Sequence, residues 1–276
     1  MRYWVLLLKQ SEIHKMVFGI FKKSSNRSKN KVIFLHVPKT GGSTFVGLLK
    51  DSIKISKIDK DIPTHIIDNI GNIQIKHIDF SNEERRFQCP EIFKNNVQES
   101  TKVFMLLRDP VERIISEFNF QYHLLKGKEG NKNAAIISKL KPIPNSLDKY
   151  IAFPNTQNYQ TKFLLGRKIA DPKKVSNDEF DLIMNGIKNI PIYCGITEEY
   201  SSFLELFQDE TGLKLKKKIT IRKKTPKELK LDYDETLKKK IIELNQYDYA
   251  LYDFVKNKLI EKKHSTFSYD DKGFVV

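Results

Sequence analysis

The stretch Lys31-Val-Ile-Phe-Leu-His-Val-Pro-Lys-Thr-Gly-Gly-Ser-Thr-Phe45 decides how this chain folds. Its first seven residues are mostly apolar and favour extended backbone, the pattern of a buried strand. Pro38 ends that strand, and Lys39, Thr40, Gly41, Gly42, Ser43 and Thr44 make a tight polar turn. Phe45, Val46, Leu48 and Leu49 then recur at helical spacing, so the turn opens a helix. Strand, glycine turn and helix N-terminus in that order form a cradle for an anion. The first helical turn presents N–H groups that have no acceptor within the helix, and glycines admit a phosphate-sized group to close approach. Lys39 adds a mobile positive charge, and the hydroxyls of Thr40, Ser43 and Thr44 add donors. The same residues would also serve an ordinary strand-to-helix turn with glycines for tightness. The nucleotide-triphosphate P-loop is a different pattern, with four residues between a glycine and Gly-Lys-Ser/Thr. Here the lysine precedes the glycines.

Around this unit, 276 residues are enough for one α/β domain with a substantial core. We read residues 1–30 as an N-terminal arm and linker, 31–263 as the domain and 264–276 as a tail. A net charge of +15 suits an acidic partner, whether nucleic acid, a membrane surface or a polyanionic glycan. Arginine, however, occurs at only eight positions in a chain rich in Lys, Asn and Ile, so bias in composition supplies part of that excess. Cys89 and Cys194 lie far apart without the spacing of a zinc site or a disulfide framework. That pattern predicts a reducing compartment and a cytoplasmic chain with no bound metal. The apolar runs Tyr3–Leu8 and Met16–Phe21 are too short to span a bilayer, although a basic-apolar arm leaves room for peripheral membrane contact.

Further along, 72–80 alternates apolar and polar residues as a half-buried strand does, while 52–72 shows no clean period. Pro90 opens a short helix to Val97, and Lys102–Leu107 is a second continuous apolar strand. A helix over 111–125 puts Ile114, Ile115, Phe118 and Tyr122 on one face. Residues 127–145 read as a lysine- and proline-bearing loop with little to fold it. Helices are predicted at 146–152 and 155–165, and Ser176-Asn-Asp-Glu179 is a capping box for one ending at Lys188. A buried strand is expected at 191–195, with Thr197 capping the helix that carries Phe203, Leu204 and Phe207. Leu237, Ile241, Leu244, Leu251, Phe254 and Leu259 lie on one stripe of a final helix. The fold class is therefore α/β, a mainly parallel sheet flanked by helices with ligands at the carboxyl ends of its strands.

A second chemical element stands at such an end, Arg108-Asp-Pro-Val-Glu-Arg113-Ile-Ile-Ser116. The Arg108 guanidinium and the Ser116 hydroxyl, two turns into the next helix, can hold a phosphate distinct from one at the glycine turn. A salt bridge bracing the strand end explains Arg108 equally well, and Arg113 could pair with Asp109, Glu112 or Glu117.

These two elements together resemble the sulfotransferases that use 3′-phosphoadenylyl sulfate (PAPS). In that family Pro-Lys-Thr-Gly-Gly-Ser/Thr holds the 5′-phosphosulfate and Arg-Asp-Pro-x-x-Arg-x-x-Ser holds the 3′-phosphate. Both stand here unbroken, as Pro38–Thr44 and Arg108–Ser116. Asn158–Gly166, Gly195–Tyr200 and Ile221–Thr225 resemble segments of the branch containing heparan sulfate 2-O-sulfotransferase and its bacterial relatives. The resemblance spans about 31 to 260 and implies a P-loop-like sulfotransferase fold with PAPS as donor and a carbohydrate hydroxyl as acceptor. An acidic glycan is one such acceptor, and no nucleic-acid partner is implied. It makes Lys39, Thr40, Gly41, Gly42, Ser43, Thr44, Arg108, Ser116, Arg222 and Thr225 donor-binding residues. Lys39 would also stabilise charge on the leaving oxygen.

Lys76-His77-Ile-Asp-Phe80 resembles the family's His-bearing segment and makes His77 the base for the acceptor hydroxyl. The match is incomplete, since that pattern often carries Gly before the His where Lys76 stands. His36, within the first strand, reads better as a residue bracing the loop. Two other classes carry less of the sequence. A P-loop kinase would need Gly-Lys-Ser/Thr and an acidic magnesium ligand after a strand, and a polyanion- or nucleic-acid-binding protein would rest on charge alone.

Overall fold

The computed structural model describes residues 30–52, 66–70, 73–78, 89–94, 101–126, 136–168, 170–190, 192–215 and 233–264. Strand β1 (Asn30–Leu35) lies at the middle of a five-stranded sheet and leads into helix α1 (Gly42–Ser52). Strands β2 (Ile66–Ile70) and β3 (Ile73–Ile78) form an antiparallel pair. Helix α2 (Cys89–Phe93) precedes β4 (Thr101–Leu107), which feeds α3 (Pro110–Lys126). Short helices α4 (Leu147–Ile151) and α5 (Tyr159–Leu164) follow, then α6 (Asn177–Asn189) and β5 (Ile192–Ile196). Helices α7 (Tyr200–Thr211), α8 (Glu235–Leu244) and α9 (Gln246–His264) complete the described chain.

The sheet order is β2-β3-β1-β4-β5, and every pairing is parallel except that of the edge strand β2. Side chains alternate between its faces as strand geometry requires. Ile33, Leu35, Val103, Met105, Ile192 and Cys194 pack in a cluster with residues of α2, α6 and α9. Val32, Phe34, Phe104, Leu106 and Tyr193 pack instead with Phe45, Leu48 and Leu49 of α1 and Phe203, Leu204 and Phe207 of α7. This is the α/β architecture that the alternation of apolar strands and helices predicts. A third cluster joins Ile114, Ile115 and Phe118 of α3 to Leu147, Tyr150, Tyr159 and Ile241.

Several local expectations are corrected. The β2 strand falls in the stretch without a clean period, because pairing with β3 imposes extended backbone there. Helix α2 ends at Phe93, and residues 95–97 of the longer helix expected lie outside the described ones. The segment read as an unfolded loop contains a short 3₁₀ turn, Ile137–Lys139. Ile136, Ile137 and Leu140 are buried against α3, and the Ile136 N–H donates to the Gln121 side chain at 3.2 Å. The expected helix 155–165 is a 3₁₀ turn at Pro154–Thr156 followed by α5, separated by Asn158 at φ 49°. Likewise the last stripe is two helices broken at Asn245, so that Ile241 joins the third cluster while Leu251 and Val255 join the first. The capping box at Ser176 forms as expected. Among the described residues no helix is long and apolar enough to cross a membrane.

Candidate active site

Strands β1 and β4 are parallel neighbours, with Leu35 opposite Met105 at the end of their ladder. The chain leaves β1 towards β3 on one side and returns through β4 on the other. The carboxyl ends of β1 and β4 thus flank a topological switch point, where open α/β sheets bind their ligands.

The turn after β1 is built under constraint. Lys39 has φ 68° and Gly41 φ 88°, left-handed backbone that costs a non-glycine residue roughly 1–2 kcal/mol. A Cβ on Gly41 would lie 3.0 Å from the Tyr200 ring, and one on Gly42 would lie 2.2 Å from the His36 ring. His36 also stacks on Phe34 with ring centroids 5.8 Å apart. The imidazole therefore supports the turn from within, as the sequence reading of a bracing histidine expects. Thr40 is fully buried, and its hydroxyl donates to the Val37 carbonyl at 2.8 Å. This corrects the expectation of three outward donors, because burial makes the Thr40 proton close the turn on itself. Ser43 and Thr44 are half-buried in the first turn of α1, where the helix dipole favours an anion.

Arg108 follows the last residue of β4, and its Nη1 donates to the Lys39 carbonyl at 3.3 Å. The two elements, 69 residues apart in sequence, therefore meet. Lys39 Nζ sits 4.1 Å from the centroid of the Phe120 ring on α3. Arg108 Nη2 also lies 3.3 Å from a Glu112 oxygen, and the Tyr233 hydroxyl donates to the other Glu112 oxygen at 2.9 Å. Burial, with this acidic partner, pushes the Tyr233 phenol up to about 12, so it stays a donor near neutral pH. Asp109 caps α3, accepting from the N–H groups of Val111 and Glu112 at 2.9 and 3.1 Å.

Ser116 is half-buried on α3, two turns in. Arg113 points the other way. It is 1% exposed, pairs with Glu117 at 3.4 Å and lies over the Tyr159 ring, so its work is internal. The His77 backbone lies on β3 in register with Phe34, and its side chain is outside the described residues. Arg222 and Thr225 also lie outside them.

The structure adds residues that sequence reasoning had not placed. The buried Gln160 side chain pairs with the Arg108 backbone both ways, accepting from its N–H at 3.1 Å and donating to its carbonyl at 2.9 Å. Asp248, buried in α9, accepts from the N–H groups of Gln160 and Thr161 at 3.0 and 2.8 Å. Asn158 and Asn245 complete the seam, with Asn245 accepting from the Asn158 N–H and Asn158 accepting from the N–H groups of Tyr247 and Asp248. Asn158, Gln160, Asn245 and Asp248 stand among other polar residues in the sequence, so no local pattern marked them. Thr197, expected as a helix cap, lies instead in a 3₁₀ turn, while Glu199 precedes α7 without a side-chain cap.

A glycine-tight helix N-terminus, a lysine, an arginine fork and half-buried hydroxyls stand at one switch point of an α/β sheet, an arrangement chemically suited to a phosphorylated ligand. The family model described as the Sulfotransferase family matches residues 26–163, half of the 276-residue chain, and the chain belongs to that family. The match includes both β1 with its turn and Arg108–Ser116. No curated protein matches the chain. Among the described residues, no three His, Cys, Asp or Glu side chains gather as a metal site would require.

Proposed function

We propose that this sulfotransferase uses PAPS as donor and a carbohydrate hydroxyl as acceptor. The observation that carries the proposal is the 3.3 Å contact between the Arg108 guanidinium and the Lys39 carbonyl. It brings two phosphate-suited elements within reach of one nucleotide phosphorylated at both its 3′ and 5′ positions. Family membership supports sulfuryl transfer, and the donor set fits a bisphosphorylated ligand better than a monophosphate.

When bound, PAPS supplies the sulfuryl group and a 5′-phosphate leaving group for in-line displacement. On the protein side, the N–H groups at the start of α1, with Ser43, Thr44 and Lys39, hold the 5′ end. Gly41 and Gly42 allow that approach, and the buried Thr40 keeps the turn closed. Lys39 places positive charge where the leaving oxygen gains its negative charge. Arg108 and Ser116 hold the 3′-phosphate, and Arg222 and Thr225 are assigned as further donor contacts. His77 takes the proton of the acceptor hydroxyl. The net charge of +15 favours an acidic glycan as acceptor.

Titration calorimetry with adenosine 3′,5′-bisphosphate and with AMP tests the donor assignment. A charge-assisted contact is worth about 1.5–3 kcal/mol, so the bisphosphate should bind about 10- to 150-fold more tightly. Arg108→Ala should remove most of that preference. Equal affinities in the unaltered protein would overturn the reading. His77→Ala should abolish sulfate transfer from labelled PAPS while sparing bisphosphate binding, and full activity in that variant would remove His77 as the base.

A further inference from the structure

Beyond the two phosphate-suited elements, the end of β5 makes contacts that neither donor binding nor proton transfer uses. The Thr197 hydroxyl lies 2.9 Å from the carbonyl oxygen of Thr40 and 2.9 Å from that of Leu107. One proton is thus shared between the glycine turn after β1 and the last residue of β4. The Tyr200 hydroxyl donates to the Gly41 carbonyl at 3.3 Å, and its ring lies beneath the place where a Gly41 Cβ would stand. Glu198 accepts from the Asp109 N–H and from the Tyr252 hydroxyl, each at 3.3 Å. Burial raises the Tyr200 and Tyr252 phenols above their ordinary range, so both remain donors.

These contacts begin where the sheet stops. The β1–β4 ladder ends at Leu35 opposite Met105, before either the turn or Arg108 is reached. Past that point the spacing of the two elements is fixed by side chains, and Thr197 touches both. The arrangement also explains why Thr197 does not cap α7, since its hydroxyl is engaged at these two carbonyls.

We infer that Thr197, aided by Tyr200 and Glu198, is a positioning residue that sets the separation of the two phosphate sites, so that one bisphosphorylated nucleotide fills both at once. This rests on the donor reading above. The Thr197 carbonyl-bridging hydroxyl need not touch the ligand. Its effect is to make the second phosphate contact intramolecular with respect to the first. A monophosphate fills one site and is insensitive to their separation.

The test is the ratio of AMP to adenosine 3′,5′-bisphosphate dissociation constants, measured by calorimetry on the full chain. Thr197→Val replaces the hydroxyl by a methyl of similar size and should lower the ratio about tenfold, through weaker bisphosphate binding with AMP affinity little changed, as loss of about one hydrogen bond implies. Thr197→Ser keeps the hydroxyl and should restore the ratio. A purely structural role would weaken both ligands together or neither. If Thr197→Val does not fold, Tyr200→Phe replaces it, with a drop of about two- to threefold expected from its longer bond. A folded Thr197→Val variant with an unchanged ratio overturns the positioning role alone, as does an unchanged Tyr200→Phe where it stands in. An unaltered protein that binds both nucleotides equally overturns the donor reading, and the inference falls with it.

Discussion

At the scale of single residues, the glycine turn depends on a steric match between Gly42 and His36. A methyl on Gly42 would stand 2.2 Å from Cδ2 and 2.6 Å from Nε2 of the imidazole, which is itself stacked on the buried Phe34. Gly42→Ala should therefore displace the ring and cost about 1–3 kcal/mol, the usual range for overpacking. Thermal denaturation would show it. His36→Ala in the same background removes the obstacle, so the double variant should regain part of the loss and the two changes should be non-additive. Simple addition of the two losses would mean that the ring and the glycine do not meet. The same contact shows which residue roles were legible beforehand. His36 reads as a brace because it sits inside an apolar strand. The inward turn of the Thr40 hydroxyl was not legible, because a Thr in a polar turn shows no difference in sequence whether it serves a ligand or its own backbone.

At the scale of elements, Arg108 is held by a chain of contacts that runs from the C-terminal helices inward. Asp248 on α9 binds the start of α5, and Gln160 on α5 binds the backbone of Arg108. The Asp248 carboxylate is 1% exposed and accepts three hydrogen bonds from Gln160 and Thr161, the third from the Thr161 hydroxyl at 2.8 Å. Burial raises its pKa, and those donors pull it back. Asp248→Asn keeps the shape but turns an NH₂ group towards a backbone N–H, leaving two donors opposed in a buried place. A loss of about 2–4 kcal/mol is expected, seen as a lower urea midpoint with an unchanged m-value. A variant as stable as the parent would show that α9 and α5 dock by apolar packing alone. The breaks at Asn158 and Asn245 belong to this seam. Periodicity predicts one helix across each, since neither asparagine interrupts an apolar stripe. Their amides pair across the seam, Asn245 with the Asn158 N–H and Asn158 with the first N–H groups of α9.

At the scale of the whole molecule, the site joins β1, β4 and β5, with α5 and α9 supporting it from behind. A ligand that bridges two of these strand ends binds the folded chain and has nothing comparable to bind once the strands separate. Adenosine 3′,5′-bisphosphate at a hundred times its dissociation constant should therefore stabilise the protein by about 2.7 kcal/mol. For a domain of this size that is a rise of roughly 5–10 °C in the melting temperature. AMP at the same concentration should give a much smaller rise. Equal shifts would count against a site that spans both strand ends.

The fold class, the strand-turn-helix opening and the two basic elements were determined by the sequence itself. Each depends on residues close together along the chain, where periodicity, glycine placement and capping chemistry act locally. The separation of those elements was left to tertiary structure, together with the supports beneath them. Thr197 meets Thr40 across 157 positions and Asp248 meets Gln160 across 88, contacts that no local pattern encodes. Such contacts form when buried backbone and side-chain groups must find partners, and which partner is within reach is known only after the sheet has set its strand order.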